Sequence, residues 1–236
     1  MNIKNKVTIV TGASMGIGAA TAKLLWKGGA QVVLVARSKD KLTALAKELP
    51  GSFVVVTDMS DVAAVKKMIA KVQKKFGKID ILINNAGRGI YGAIENTDIA
   101  QYKKIIDLNV IGPLVAMQTV VPIMRLQGAG VIVNVSSMVS KNYFPFLGAY
   151  ASTKYALNAI SLTARAELEK DNIKVCVMHP TMTDTDFGKN AFKSDAVAKN
   201  MQSRFRAEMP KPDSAEHVAK RILLTITSEK AEIYPK

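Results

Sequence analysis

Short apolar runs rich in β-branched residues recur along the chain, at Val7–Thr11, Gln31–Ala36, Ser52–Thr57, Ile79–Ile83, Val131–Val135 and Lys174–Met178. Each reads as a buried strand. Helical spacing fills the intervals: from the turn after Thr11 to about Trp26, Asp40–Leu49, from near Asp61 to Phe76, Ile99 to about Leu126, Ala151–Lys170 and Ala215–Thr227. Ile233–Tyr234 is a short final strand. Neighbouring parallel strands need a long crossover, usually a helix. The alternation therefore constrains the fold to α/β: a three-layer, doubly wound, mostly parallel sheet with helices on both faces.

The first strand runs directly into Gly12-Ala13-Ser14-Met15-Gly16-Ile17-Gly18 and a helix. Glycines let such a turn close tightly and let a pyrophosphate approach the backbone, while the helix N-terminus offers unpaired N–H groups. The spacing Gly-x-x-x-Gly-x-Gly differs from the Gly-x-Gly-x-x-Gly of most dinucleotide folds. An NAD site needs an acid at the end of the second strand to accept from the ribose 2′-OH. The chain reads Ala36-Arg37-Ser38 there instead. Arg37 is either an ordinary surface arginine or a guanidinium that grips a 2′-phosphate, and the missing acid favours NADP(H) over NAD(H). Asp58 either accepts from an adenine amino group or caps the helix starting near Asp61. Asn84-Asn85-Ala86-Gly87 suits a backbone pressed against a cofactor, or a plain turn.

At 236 residues, 48% hydrophobic and 22% charged, the chain is long and apolar enough for one large domain, taken as 1–236. Its one cysteine, Cys176, lies in an apolar strand, so no disulfide framework is indicated. The opening strand is too short for a signal h-region or a membrane span, which points to a cytoplasmic protein. A formal net charge of +14 raises nucleic-acid binding. In the densest basic run, however, Val65, Met68, Ile69, Val72 and Phe76 form an apolar stripe with lysines opposite, the pattern of a solvated helix face. Neither a DNA-reading helix-turn-helix nor an aromatic-basic platform is present, so no nucleic-acid partner is expected. The charge favours anionic cofactors or substrates by steering. His179 and His217 stand isolated, which argues against Ser-His-Asp hydrolysis and a histidine metal site.

Proton-transfer chemistry is most concentrated between Val135 and Lys154. Tyr150 and Lys154 are one helical turn apart and leave the same face. Ser137 ends a strand thirteen residues before Tyr150, so a loop can fold its hydroxyl back over the phenol. Asn109 precedes Gly112-Pro113 in the long helix. Proline removes an i→i−4 hydrogen bond there, which either frees backbone groups to hold a water or simply bends the helix. After Pro180 the chain is polar and basic, with Met182, Phe187, Phe192, Met201, Phe205 and Met209 irregularly spaced. Residues 186–212 read as one or two helices forming a substrate lid over the open end of the sheet.

Taken in order, Thr11-Gly12-x-x-x-Gly16-x-Gly18, Asp58, Asn84–Gly87, Asn109, Ser136-Ser137, Tyr150-x-x-x-Lys154 and Pro180–Thr185 make the chain resemble a short-chain dehydrogenase/reductase nearly end to end. The resemblance implies a seven-stranded Rossmann sheet ordered 3-2-1-4-5-6-7. It implies that Tyr150 is the acid in reduction and the base in oxidation. Lys154 and an oxidised nicotinamide would bring its phenol from about 10 toward working pH. Lys154 would also hold the nicotinamide ribose, Ser137 would orient the substrate oxygen, and Asn109 would hold a water linking Lys154 to solvent. The implied cofactor site comprises Gly12, Ser14, Met15, Gly16, Ile17, Gly18, Arg37, Ser38, Asp58, Met59, Asn85, Ala86, Gly87, Tyr150, Lys154, Pro180, Thr181, Thr183 and Thr185. Arg88, Ile90, Tyr91, Met138, Tyr143, Phe144, Phe146, Met182 and Phe187 would form an apolar, aromatic mouth for a medium-sized hydrophobic carbonyl or alcohol. Family members pair through the helices at 99–126 and 150–170, implying a homodimer or homotetramer.

Three positions depart from the family pattern: Thr181 and Ser140 replace frequent glycines, and Met15 replaces a basic residue found in some NADP-preferring members. The expected activity is NADP(H)-dependent interconversion of a carbonyl and an alcohol. One alternative is reduction of a 3-oxoacyl-[acyl-carrier-protein], which the basic surface would attract. Another is a catalytically idle NADP-binding regulatory protein, against which the complete Ser-Tyr-Lys set argues.

Overall fold

The computed structural model describes residues 1–193 and 211–235. Its main sheet is built from β1 (Val7–Thr11), β2 (Gln31–Ala36), β3 (Phe53–Val56), β4 (Ile81–Asn84), β5 (Gly130–Val135), β6 (Ile173–Met178) and β7 (Glu232–Ile233). The order is β3-β2-β1-β4-β5-β6-β7, and every pairing is parallel. This is the expected doubly wound Rossmann arrangement. The strand order reverses direction between β1 and β4, opening a crevice at their carboxyl ends.

The helices are α1 (Gly16–Lys27), α2 (Lys39–Glu48), α3 (Val62–Phe76), α4 (Ile99–Ile106), α5 (Gly112–Gln127), α6 (Gly148–Glu167) and α7 (Ala215–Ser228). Successive strand residues face opposite layers. Ile9, Val33, Leu82 and Ile132 pack with α3 and α5, whereas Val10, Leu34, Ile83 and Val133 pack with α1, α2 and α7. The apolar stripe of α3 is buried through Val65, Met68, Ile69 and Val72, leaving its lysines outward.

Asp61, not Asp58, caps α3, accepting from the Ala63 and Ala64 amides at 2.8 and 3.0 Å. The long helix is not broken at Gly112-Pro113. A π-helical turn at Asp107–Ile111 joins α4 to α5, and Pro113 sits in the first turn of α5, where its missing N–H is tolerated. The run Ile99–Gln127 is long and apolar enough to cross a membrane by length and composition, but half of its most apolar stretch is buried in the fold. Of the segment expected to form lid helices, Asp186–Asn190 is a turn and Phe192–Lys193 a short strand paired with Ile90–Tyr91. Residues 194–210, with Met201, Phe205 and Met209, lie outside the described residues.

Candidate active site

The crevice is built on Thr11. Its hydroxyl donates to the Ile83 carbonyl at 3.1 Å and accepts from the Asn85 and Ala86 amides at 2.9 and 3.0 Å. Asn85 Nδ2 returns a bond to the Thr11 carbonyl at 2.9 Å. The turn after β4 is thereby pressed against the glycine turn after β1. Gly12 has φ +67°, and a Cβ there would lie 2.8 Å from Asn85 Nδ2. At Gly18 a Cβ would lie 2.2 Å from the Gly12 carbonyl oxygen. Gly18→Ala should therefore cost about 1–3 kcal/mol of stability and weaken cofactor binding. Thermal melts and a cofactor titration check both effects. Met15 occupies the N-cap of α1 without a side-chain cap bond, so its side chain does not satisfy the first-turn amides. Gly16 and Thr185 meet here, a Cβ on Gly16 falling 3.1 Å from Thr185 Cγ2.

At the end of β2, Arg37 is largely exposed and stands 3.8 Å from Asp58. Asp58 accepts from the Ser60 amide and hydroxyl at 2.9 and 2.7 Å. Burial works against its charge, but these bonds and Arg37 hold the carboxyl below its ordinary value. Ser38 is the N-cap of α2, with no cap bond from its hydroxyl. Met59 is buried, and its carbonyl underlies Gly112, where a Cβ would fall 2.1 Å away.

The candidate catalytic groups gather where β5 gives way to α6. Ser137 turns the chain into a short 3-10 segment, its hydroxyl accepting from the Val139 amide at 3.3 Å. Ser136 is buried, its hydroxyl 3.2 Å from Ser140 Oγ, so Ser137 is the member of the pair left to act. Tyr150 and Lys154 are both buried on α6. Lys154 Nζ donates to the Val135 carbonyl at 2.9 Å and lies 6.0 Å from the centroid of the Tyr150 ring.

Burial, with the neighbouring Tyr91, pushes the Tyr150 phenol above its ordinary value, and the nearby Ser137 hydroxyl only partly opposes this. Burial likewise pushes Tyr91 up to about 12 and pulls Lys154 down to about 8. Desolvation dominates at this phenol, and Tyr150 is protonated and able to donate. An ammonium has three N–H donors, and among the described residues only the Val135 carbonyl accepts one. The glycine cradle, the α1 amides and this under-used ammonium fit a nicotinamide dinucleotide.

Asn109 is fully buried in the π turn. Its Oδ1 accepts from the Arg88 amide at 3.0 Å, and its Nδ2 donates to the Arg88 carbonyl and Thr153 Oγ1 at 2.9 and 3.1 Å. The side chain is therefore a clasp between the turn after β4 and α6. The Gly112 amide reaches back to the Asp107 carbonyl, and Pro113 has no N–H to give. The Asn109 main-chain carbonyl thus lacks the i+4 donor of a regular α-helix.

The residues expected at the substrate mouth divide. Ile90 is buried in one cluster with Tyr150, and Phe187 packs against that cluster, its ring 5.7 Å from that of Tyr150. Arg88 lies over the Phe192 ring at 3.6 Å and donates through Nε to the Asn190 carbonyl at 2.6 Å. Met138 is half-buried in the 3-10 turn, and Met182 is exposed. Tyr143, 91% exposed, stacks on Tyr155 at 6.1 Å. With Phe144 it lines a cleft of about 460 Å³ that none of Ser137, Tyr150 and Lys154 lines. The loop turns at Phe146, φ +66°, whose carbonyl accepts from the Gly92 amide at 3.0 Å. Phe192, Val139 and Tyr102 join the wall around Tyr150. Of these, only Phe192 stood out in the sequence, as one of several apolar lid residues.

Beyond β6, the Pro180 carbonyl accepts from the Met138 amide at 2.9 Å. The Thr181 hydroxyl is engaged by the Asp213 carboxylate, and Thr183 donates to the Thr181 carbonyl at 3.1 Å. Asp213 also ties back through its main chain, with the Asp184 and Met182 partners both at 2.9 Å. His179 is not isolated: its Nε2 lies 2.9 Å from Glu232 Oε1, and its Nδ1 3.5 Å from Ser140 Oγ. Among the described residues no cluster of potential metal ligands occurs.

A glycine cradle at a Rossmann switch point beside a Ser-Tyr-Lys group defines the class as nucleotide-binding oxidoreductases. The profile of the short chain dehydrogenases matches residues 6–196, and the chain belongs to the short-chain dehydrogenase/reductase family. It is 35% identical to dehydrogenase/reductase SDR family member 7B of Mus musculus, over 94% of this chain and 74% of that protein. An alcohol dehydrogenase from Thermococcus sibiricus complexed with 5-hydroxy-NADP superposes with a TM-score of 0.84, at 26% identity, covering 98% of this chain and 95% of that one. A 3-ketoacyl-(acyl-carrier-protein) reductase from Brucella melitensis complexed with NADH gives 0.87, at 26% identity and 98% coverage of both. The family thus binds nicotinamide cofactors of both kinds.

Proposed function

We propose that the protein reduces a medium-sized hydrophobic carbonyl to an alcohol, or the reverse, with NADP(H). The observation that carries this reading is the gathering of Ser137, Tyr150 and Lys154 at the end of β5, beside the glycine turn. The α1 amides and Ser14 would hold the pyrophosphate, with Asp58 and Met59 at the adenine and Lys154 at the nicotinamide ribose. When bound, the cofactor supplies or takes the hydride. Ser137 orients the substrate oxygen through its hydroxyl. Tyr150 gives its proton to that oxygen as negative charge develops there, and Lys154, an ammonium below about 8, stabilises the resulting phenolate. The Asn109 carbonyl holds the water through which the proton is replaced. Ile90 and Phe187 exclude bulk water from the phenol.

Arg37 supports NADP(H). Its exposed contact with Asp58 is a weak surface pair, easily exchanged for a phosphate. Burial, and after it the charge of Arg37, holds Arg88 below its ordinary value. Arg37→Asp should raise the KM for NADPH by about 10–100-fold while leaving that for NADH within a few-fold. Equal efficiencies of the wild-type enzyme with NADPH and NADH would refute the 2′-phosphate role.

The activity is tested by following reduced-nicotinamide absorbance with a panel of hydrophobic ketones, aldehydes and alcohols. Failure to turn over any of them in either direction would overturn the reading. A carrier-linked 3-oxoacyl thioester belongs in the panel. Salt-sensitive turnover confined to it would shift the substrate class to that thioester.

A further inference from the structure

A buried polar cluster that the proposed chemistry does not use holds the main chain of Ser137. Ser140 Oγ donates to the Ser137 carbonyl at 2.6 Å and accepts from Asn158 Nδ2 at 2.8 Å, which ties the turn to α6. His179, at the end of β6, adds its Nδ1 at 3.5 Å from both the Ser137 carbonyl and Ser140 Oγ. Its Nε2 meets Glu232 Oε1 of β7 at 2.9 Å. Tyr234 stacks on the imidazole at 4.9 Å, and Lys141 Nζ lies 2.7 Å from the same Glu232 oxygen.

Burial pulls His179 below its ordinary value against the opposing pull of Glu232, so the ring is neutral at pH 7. Burial raises Glu232 as well, but bonds from Lys141, His179 and Tyr234 leave the carboxyl below its ordinary value and ionised. A carboxylate only accepts, which assigns the single ring proton to Nε2 and leaves Nδ1 bare. The ring is then fixed on one edge by Glu232 and on one face by Tyr234. Its other edge, with no proton to give the Ser137 carbonyl, rests against the turn from Ser137 to Ser140 as a packing contact at 3.5 Å. Ser140, His179 and Glu232 are the residue types of a hydrolase triad, but Ser140 is 1% exposed and its proton is committed to Ser137. It cannot act as a nucleophile.

We propose that Ser140 and the Glu232-anchored His179 are positioning residues that set where Ser137 presents its hydroxyl, so that the C-terminal strand β7 governs the geometry at the reacting oxygen. The inference rests on the oxidoreductase reading above. What the cluster holds is the main chain of the orienting serine itself, and a displacement of about 1 Å at such a group can cost about 100-fold in rate.

The test compares His179→Phe, His179→Gln and Ser140→Ala with the wild-type enzyme. Phenylalanine keeps the stack on Tyr234 but loses both polar edges, whereas glutamine keeps a donor for Glu232. His179→Phe and Ser140→Ala should lower kcat by about 10-fold or more, with NADPH affinity, read by its fluorescence, within about twofold. Amide exchange over residues 136–141 should quicken in both. His179→Gln should recover most of the loss. Should His179→Phe fail to fold, Ser140→Ala and Glu232→Gln carry the same expectations. Wild-type kcat in the variants, or kcat and NADPH affinity falling together without rescue by glutamine, would overturn the proposal. A wild-type enzyme without turnover would instead defeat the oxidoreductase reading. Exchange over 136–141 would then still report whether the cluster holds the turn.

Discussion

Tyr150→Phe is expected to lower kcat for carbonyl reduction by about 1,000-fold while leaving NADPH affinity within about twofold. The substitution removes one oxygen and keeps the ring among Ile90, Ile105 and Phe187. Ser137 retains its bond from the Val139 amide, so the turn stays closed. The cofactor contacts proposed at the glycine turn and Arg37 are untouched. Initial rates and NADPH fluorescence separate the two effects. Undiminished turnover would remove Tyr150 as the proton donor, and a joint loss of binding would show that the ring itself is structural.

Lys154→Met should abolish turnover and raise the melting temperature. Burial lowers the Lys154 ammonium from 10.5 to about 8, which corresponds to roughly 3 kcal/mol of differential interaction. Because the folded value lies below the unfolded one, the unfolded chain binds more protons between about 8 and 10.5. Stability therefore rises with pH across that window, and the penalty is felt in full below it. Methionine removes the charge but leaves the Val135 carbonyl without its donor, at a cost of about 1 kcal/mol. The net gain at pH 7 is about 2 kcal/mol, or several degrees in Tm for a chain of this size. Melts of both proteins from pH 7 to 11 check the sign, since the two curves should converge as pH rises. A variant that melts no higher than wild type at pH 7 would show that the buried ammonium is already compensated. This is the stability given up for a working site.

The sheet was legible because period and length carry it. Strand bounds read from β-branched runs fall within two residues of those observed, and the stripe on α3 names its buried face correctly. The glycine turn was legible for the same reason, since its spacing is a local backbone requirement. Side-chain partnerships across the sheet were not. His179 looked isolated because Glu232 is 53 residues away and reaches it only through the parallel pairing of β6 with β7. Asp58 reads as either an adenine contact or the cap of α3, and the α3 amides bind Asp61 instead. The proline in the long helix suggested a break, but it lies where a π turn had already displaced the hydrogen-bond register. Tyr143 is placed at the mouth by resemblance, and the structure shows its ring stacked on Tyr155 in a cleft that none of Ser137, Tyr150 and Lys154 lines. Loop side chains answer to neighbours that spacing does not reveal.

The tie between Thr183 and Asp213 has a consequence for how this enzyme diversifies. The stretch that leaves the sheet after β6 returns to the same point before α7, so its two ends are fastened together whatever lies between them. Lengthening a closed excursion is thermodynamically mild, about 0.6 kcal/mol for a doubling. Descendants can therefore exchange that stretch wholesale while the glycine cradle and Tyr150 keep their places.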